Sequence, residues 1–468
     1  MIAILLFEFF RPPVAAALTF LGASMFLPSA IGIDPPVLPS MGKEEFASAG
    51  CLIGMLLFAR PQLQRARIGR GPEILVLGMV VGSVLSVLTN LDPLRIGPEV
   101  VPGARATDFV ADALLQALRW GVPFVAGRAL FTRARDVRSL LRILVVAGLV
   151  YSLLIFVELR MSPQLHRWVY GYHQHSFHQA IRASGYRPMV FMRHGLHVAL
   201  FICLGLLAAS TLWRMRLALF GLPAALVAGY LGVVLALCKS VGSLVYALVA
   251  APLIFLGSAR VQTLAASAVA ALVLAYPLLR SFDLLPLDTA VAVARRAAGP
   301  ERARSFEGRL ANEAAVLERA RERLWFGWSS SGRSLVRDPV SGRVETTFDG
   351  YWIIALGGGG LVRFVCVFGM VLLPIFGGAR ALPQLRAARE RQLVGGLSLL
   401  VAVSMFDLLP NSTVEGYMTL FSGALAGLVP GLLGEQRRNG SPDGPRPPRR
   451  QSRVSPARRA LAERTPEP

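Results

Sequence analysis

Leu217-Ala-Leu-Phe-Gly-Leu-Pro-Ala-Ala-Leu-Val-Ala-Gly-Tyr-Leu-Gly-Val-Val-Leu-Ala-Leu-Cys238 runs for 22 residues without a charged side chain. About 20 apolar residues in a helix cover the hydrocarbon core of a bilayer. Lys239 and Ser240 leave almost no loop before the next apolar run, Val241 to Gly257. Runs of this kind recur at roughly 14–33, 44–59, 72–90, 109–131, 140–159, 188–210, 217–238, 241–257, 261–279, 351–377, 393–409 and 414–433. The pattern predicts an all-α, polytopic transmembrane helical bundle of about 12 helices. A hydrophobic content of 54% and a mean hydropathy of +0.54 agree, being too high for a soluble chain of this length. Met1 to Phe10 is apolar but too short to cross, and Arg11-Pro12-Pro13 separates it from the first span, which makes it an interfacial lead-in. No basic n-region with a small-residue cleavage site precedes that span, so it is read as a retained anchor.

The net charge of +21 raises the question of nucleic acid, and its distribution answers it. The arginines collect in alternate loops: Arg60, Arg65, Arg67 and Arg70, then Arg133, Arg135 and Arg138, then Arg214 and Arg216, then Arg260, then Arg380, Arg386, Arg389 and Arg391. Positive residues concentrate on the cytoplasmic side of membrane proteins, so both termini are expected in the cytoplasm and no nucleic-acid partner is implied. The membrane domain is taken as 1–434. The remainder, 435–468, is rich in Pro, Arg and Ser and is expected to be a disordered basic cytoplasmic tail in contact with anionic lipid. The four cysteines stand singly in or beside apolar runs, without ligand spacing, so neither a disulfide nor a zinc site is expected.

With that orientation the outer side receives Asp34 to Lys43, Leu91 to Asp108, Arg160 to Arg187 and one large periplasmic loop, 280–350. Within the large loop, Asp288 can cap a short helix through Ala298, and Gly299-Pro300 breaks it. A second helix from about Glu301 to Leu324 places Leu310, Ala314, Leu317 and Leu324 near one face, with Glu313, Glu318 and several arginines elsewhere. An amphipathic helix lying against the outer mouth of the bundle follows.

All six histidines fall between His166 and His197, in an outer stretch shared with Arg182, Arg187 and Arg193. His173-x-His175-x-x-His178 supplies imidazoles but no carboxylate or cysteine beside them, so hydrogen bonding to headgroups, sugar hydroxyls or one another is preferred to a metal. Pro188 suits the first turn of a helix, which would place Arg193 and His194 more than one turn inside it. A guanidinium there grips phosphate oxygens in bidentate fashion; the plainer reading, snorkelling to the interface, suits Arg182 best. Lys239, between two apolar runs, is open to the same two readings. Asp349 closes the large loop just before the span at Tyr351, where a carboxylate either accepts a proton from a hydroxyl or caps the helix. Gly357-Gly-Gly-Gly360, inside that span, is expected to permit close helix packing. No phosphate-binding glycine loop, serine-hydrolase elbow or zinc-protease motif is present.

Three stretches carry a resemblance: Arg182-Ala-Ser-Gly-Tyr-Arg-Pro-Met-Val-Phe-Met-Arg-His-Gly195 entering a span, Cys238-Lys-Ser-Val-Gly-Ser243 between spans, and the block from Ser305 to Leu361. The last contains Arg309-Leu, Trp325-Phe-Gly-Trp and Asp349-Gly-Tyr-Trp-Ile-Ile-Ala-Leu-Gly-Gly-Gly-Gly-Leu361. Together they resemble the O-antigen ligase and polysaccharide polymerase superfamily of bacterial inner membranes. Phe26-Leu-Pro through Pro39-x-x-Gly-Lys43 looks like its exopolysaccharide branch. The resemblance implies a metal-independent glycosyltransferase without a cofactor, taking an undecaprenyl-diphosphate-linked glycan on the periplasmic face, alongside other polysaccharide assembly proteins. Under it, Asp349, Arg309 and His194 are the catalytic candidates, and Arg182, Arg187, Arg193 and Lys239 the diphosphate ligands. Many ligases carry a His-Asn pair where this chain has Asp349-Gly350, which weakens the lipid A ligase reading and leaves the base open. A transporter or flippase is the competing class, although no internal repeat is visible, and a non-catalytic subunit of a secretion complex is the third.

Overall fold

The computed structural model describes residues 1–34, 39–66, 68–182 and 185–439. Its first half contains α1 (Ile2–Phe9), α2 (Pro12–Phe26), α3 (Lys43–Phe58), α4 (Arg60–Arg65), α5 (Leu75–Leu88), α6 (Asp108–Gln116), α7 (Val122–Leu130), α8 (Ala134–Met161) and α9 (Leu165–Tyr170). The second half contains α10 (Gly195–Arg214), α11 (Ala224–Leu237), α12 (Val241–Leu256), α13 (Ala259–Ser281), α14 (Leu287–Ala298), α15 (Pro300–Arg321), α16 (Ser331–Ser334), α17 (Tyr351–Ala381), α18 (Ala388–Asp407) and α19 (Gly416–Asn439). Among the described residues, paired strands are confined to three small antiparallel hairpins. The fold is an all-α bundle.

Among the described residues, six helical rods are long and apolar enough to cross a membrane: α6 and α7 joined through a widened π-turn at Ala117–Gly121, α8, α10, α13, α17 and α19. Four shorter apolar helices accompany them: Pro12–Phe26, Pro72–Leu88, α11 and α12. This is the architecture of a multi-pass membrane protein. The twelve expected spans each overlap a helix, but α3 and α18, under 44–59 and 393–409, are not among these ten, the helix under 14–33 ends at Phe26, and the one under 188–210 begins only at Gly195.

Burial sorts the helices. In α10, 94% of the apolar window is inside the bundle, against 33% in α13, so α10 is the central post and α13 is peripheral. α10 packs on α8, α11, α12 and α18. Leu153, Leu226, Leu248 and Leu264 point outward and are exposed. Apolar side chains of this kind facing away from a packed core meet lipid. The tightest approach is between α7 and α19. A Cβ at Gly423, Gly427 or Gly431 would strike the carbonyls of Phe124, Arg128 and Thr132 in turn, so the four-residue glycine spacing lets the two backbones touch.

Two further sequence boundaries move. The apolar run from Leu217 does not become helix until Ala224, because Ala218–Leu219 and Leu222–Pro223 pair as a hairpin. Phe220 and Gly221 both have positive φ at its tip, the geometry of a two-residue hairpin turn. At the other end of the chain, α19 continues past the expected boundary at 434 to Asn439. The rest of the expected tail, 440–468, lies outside the described residues.

The amphipathic loop helix is present as α15, with a different inner face. Leu310 and Leu317 belong to it, joined by Ala303, Val316 and Ala320, whereas Ala314 and Leu324 are exposed. Glu313, expected on the polar side, points inward and meets Arg280 at 2.9 Å and the Tyr276 hydroxyl at 3.1 Å. Burial pushes its carboxyl up, and Arg280 followed by Tyr276 pulls it back. Asp288 sits in the first turn of α14 but does not cap it; Pro286 holds the cap position.

Candidate functional site at one end of the bundle

The segment before α10 positions the arginine and histidine candidates, and it is not helical. From Pro188 to His194 the chain is irregular and mostly buried, with Val190 at φ +51°. Its backbone groups must therefore find partners outside a helix. Glu158, at the end of α8, accepts from the Met189 and Val190 N–H groups, both at 2.8 Å, and from Leu165 N–H at 3.2 Å. Phe191 N–H donates to the Tyr151 hydroxyl at 3.1 Å, and Ser29 Oγ donates to the Phe191 carbonyl at 2.8 Å. Gln174 Nε2 donates to the carbonyls of Val190 and Met192, both at 3.1 Å. These bonds replace the helical turn that Pro188 was expected to start. Arg193 is accordingly exposed at the rim instead of lying inside a helix, and His194 is the N-cap of α10.

His194 Nδ1 accepts the Leu196 N–H at 3.1 Å, and its Nε2 meets Gln179 Oε1 at 3.3 Å. Burial, then the neighbouring His175, Arg187, Arg182 and Arg309, push its pKa down to about 3. A neutral ring with a proton on Nε2 satisfies both contacts. Its lone pair is committed to the helix cap, so His194 serves here as a positioned donor and not as a base.

The other cations converge on this cap. Arg187 is buried and donates from Nη2 to the Lys239 carbonyl at 3.1 Å; a Cβ at Gly195 would collide with its side-chain stem. Lys239, at φ +52°, forms the tight turn between α11 and α12. A Cβ on Gly185 would lie 3.1 Å from its Nζ, so the Arg182–Gly185 hairpin approaches the ammonium closely. Arg309 Nε lies 3.8 Å from Asp349 Oδ1, and both are partly exposed. The Asp349 side chain makes no cap bond to α17, whose N-cap is Gly350. Arg309 and Asp349 line a cavity of about 390 Å³ whose other walls are largely apolar, among them Leu272, Phe306, Ile353 and Phe406. The fold thus gathers Arg182, Arg187, Lys239 and His194, brings Arg309 within electrostatic reach of His194, and leaves Arg193 at the edge.

The glycine run does something other than pack two helices. α17 breaks at Gly360, with φ +69° and ψ −170°, and the Trp325–Trp328 turn enters the gap. Leu361 N–H donates to the Leu324 carbonyl at 2.8 Å, Val362 N–H to Trp325 at 3.3 Å, and Trp328 N–H to Gly357 at 2.8 Å. The backbone groups freed by the break are thereby paired, as burial requires. Arg319 and Arg323 stack on Trp328 at 3.6 and 4.4 Å, and Arg323 reaches Asp92 at 3.1 Å, tying the large loop to the shorter one before α6.

His166 is structural. Its Nδ1 meets the Tyr172 carbonyl at 2.9 Å, its Nε2 accepts from Ser29 N–H at 3.3 Å, and burial keeps its pKa low. Among the described residues no three His, Cys, Asp or Glu side chains group as metal ligands. Several buried or half-buried ionisable groups were not singled out from the sequence: Glu158, the Asp112–Arg363 pair joined by Ser83, and Glu44 with Glu415 beside Lys43. Asp112, Glu158 and Arg363 each lie within an expected span, and a charge inside an apolar run was the signal available.

No protein-family model and no curated protein matches this chain.

Proposed function

We propose that this chain is a glycosyltransferase of the bacterial inner membrane that joins undecaprenyl-diphosphate-linked glycan units on the periplasmic face. The proposal includes twelve membrane crossings with both termini in the cytoplasm. The observation that carries it is the convergence of Arg182, Arg187 and Arg309 from separate elements around His194, Arg309 also lining, with Asp349, a mostly apolar cavity. A substrate with a polyprenyl tail and a diphosphate head needs both features. Apolar walls accept the chain, and guanidinium groups at a low-dielectric boundary stabilise charge developing on the leaving diphosphate without a metal.

In this reading Arg187, Arg182 and Lys239 face the diphosphate, with Arg193 receiving it at the rim. The neutral His194 contributes an N–H donor. Asp349 accepts the proton of the attacking hydroxyl as the anomeric carbon bonds to that oxygen and the carbon–phosphate oxygen bond breaks. Arg309 orients the carboxylate. The alternative of a ligase, passing finished glycan to a lipid or other acceptor, uses the same chemistry. A second class, a glycan transporter or flippase, draws support from the break in α17, since transporters bind substrates at interrupted helices.

Deleting the gene and analysing lipid-linked and surface glycan separates these readings. A polymerase defect leaves single lipid-linked units outside. A ligase defect leaves long lipid-linked chains untransferred, and a flippase defect leaves units on the cytoplasmic leaflet. Unchanged glycan in all pools would refute the proposal. Activity in membranes is expected to survive a chelator.

A further inference from the structure

One turn beneath His194 lies a second polar group that the glycan reading does not use. Glu44, at the start of α3, and Glu415, just before α19, have their carboxyl groups within hydrogen-bond reach of one another. Glu44 Oε2 accepts the Gly416 N–H at 2.7 Å. Glu44 Oε1 and Glu415 Oε2 are buried and receive no donor from any described residue. Two carboxylates in contact away from water cannot both stay ionised, and a proton between them supplies the missing donor.

The surrounding charges lead to the same count. Lys43 Nζ lies 3.8 Å from Glu415 Oε1, with side-chain exposures of only 10% and 3%. It also donates to the Ser24 carbonyl at 3.2 Å. One ammonium balances one carboxylate, so the second is neutral only when protonated. Glu45 is turned away and pairs with Arg119. On the α8 side, the Tyr151 hydroxyl takes the Phe191 N–H; on α19, the Tyr417 hydroxyl is buried without a partner among the described residues. Asp407, at the end of α18, is held by Asn411 Nδ2 at 2.9 Å.

An independent feature points into the pair. His197, on α10, is 8% exposed, and its Nδ1 has no hydrogen-bond partner among the described residues and sits 4.0 Å from Glu415 Oε1. The rings of His175 and His194 are 4.9 Å apart, and those of His194 and His197 are 6.3 Å apart, so imidazoles step from the cation cluster down to the carboxyl pair. His194, Lys43, Arg193 and His175 are the charged and titratable groups whose fields reach His197.

We propose that Glu44 and Glu415 form a proton-binding site that holds one proton between two carboxylates and exchanges it with the mouth through His197. Uptake converts the doubly ionised pair and a hydronium ion into a hydrogen-bonded monoanion and water. The site stands whether or not glycan is the substrate.

Infrared difference spectroscopy of the full-length protein in proteoliposomes tests this. Wild type should show a protonated-carboxyl C=O stretch at neutral pH that fades on alkalinisation. The band should be absent from both Glu44→Gln and Glu415→Gln, and present in Asp407→Asn. In His197→Phe, deuterium exchange of that carboxyl should slow by about an order of magnitude. No band in wild type, survival of the band in either glutamine variant, or its loss in Asp407→Asn would overturn the proposal. So would removal of the band by sodium at constant pH where choline has no effect, because the site would then belong to a monovalent cation.

Discussion

Arg187 is placed to do two things, and replacing it separates them. It is 8% exposed, its Nη2 donates to the Lys239 carbonyl at 3.1 Å, and its stem fills the space that a Cβ at Gly195 would need. Arg187→Ala removes a charge-assisted bond and leaves a carbonyl to find another partner, a stability loss of about 2 kcal/mol. If the guanidinium also meets the leaving diphosphate, the variant loses a contact that strengthens in the transition state. That adds about 3 kcal/mol to the barrier, or roughly a hundredfold in rate. Arg187→Lys keeps the charge and loses the planar two-point grip, so it should recover much of the stability and little of the rate. The assay is the chain length of lipid-linked glycan formed by membranes containing equal amounts of folded variant, alongside thermal unfolding of the purified protein. Turnover per folded molecule equal to wild type in Arg187→Ala would refute the catalytic half of the argument. The residue would then be only the clamp on the α11–α12 turn.

Because the folded-state pKa of His194 is depressed to about 3, the unfolded chain binds more protons between that value and the ordinary imidazole value. Stability should therefore fall as pH drops from about 6.5 to 3, by up to roughly 5 kcal/mol from this residue, and His194→Asn, which preserves an N-cap acceptor, should flatten the pH–stability curve; an unchanged curve would refute the neutral cap. Gly360→Ala places a side chain at φ +69° and against the Trp325 backbone, and should cost at least about 3 kcal/mol in unfolding experiments, whereas a neutral effect would deny the break in α17. Val340 is 83% exposed on the large loop and the four native cysteines are buried, so Val340→Cys should be the dominant site labelled by a membrane-impermeant thiol reagent in cells with a permeabilised outer membrane. Labelling only after lysis of the inner membrane would reverse the proposed orientation.

Properties set by local composition were legible in the chain. Apolar length marks where helices lie, because a backbone in lipid has to pair within its own segment, and ten of the twelve expected spans coincide with apolar helices. The break between the two loop helices at Gly299-Pro300 follows from one glycine at φ +86° and one proline without an N–H. The convergence of Arg182, Arg187, Lys239 and His194 was suggested by their shared outer position, but their contacts were not. Pro188 is equally compatible with a helix start and an irregular strap, and the decision came from Glu158, Tyr151, Ser29 and Gln174, which lie between 16 and 162 residues away from the strap groups they bind. The glycine run at 357–360 likewise has no local reason to break; it does so because the Trp325–Trp328 turn supplies the donors and acceptors a continuous helix would have kept for itself. The pairing of Glu44 with Glu415, 371 positions apart, has no trace in sequence spacing, since only the packing of α3 against α19 makes them neighbours. Hydropathy is a property of consecutive residues, whereas a buried polar contact depends on which helix ends meet, and that is decided by the assembled bundle.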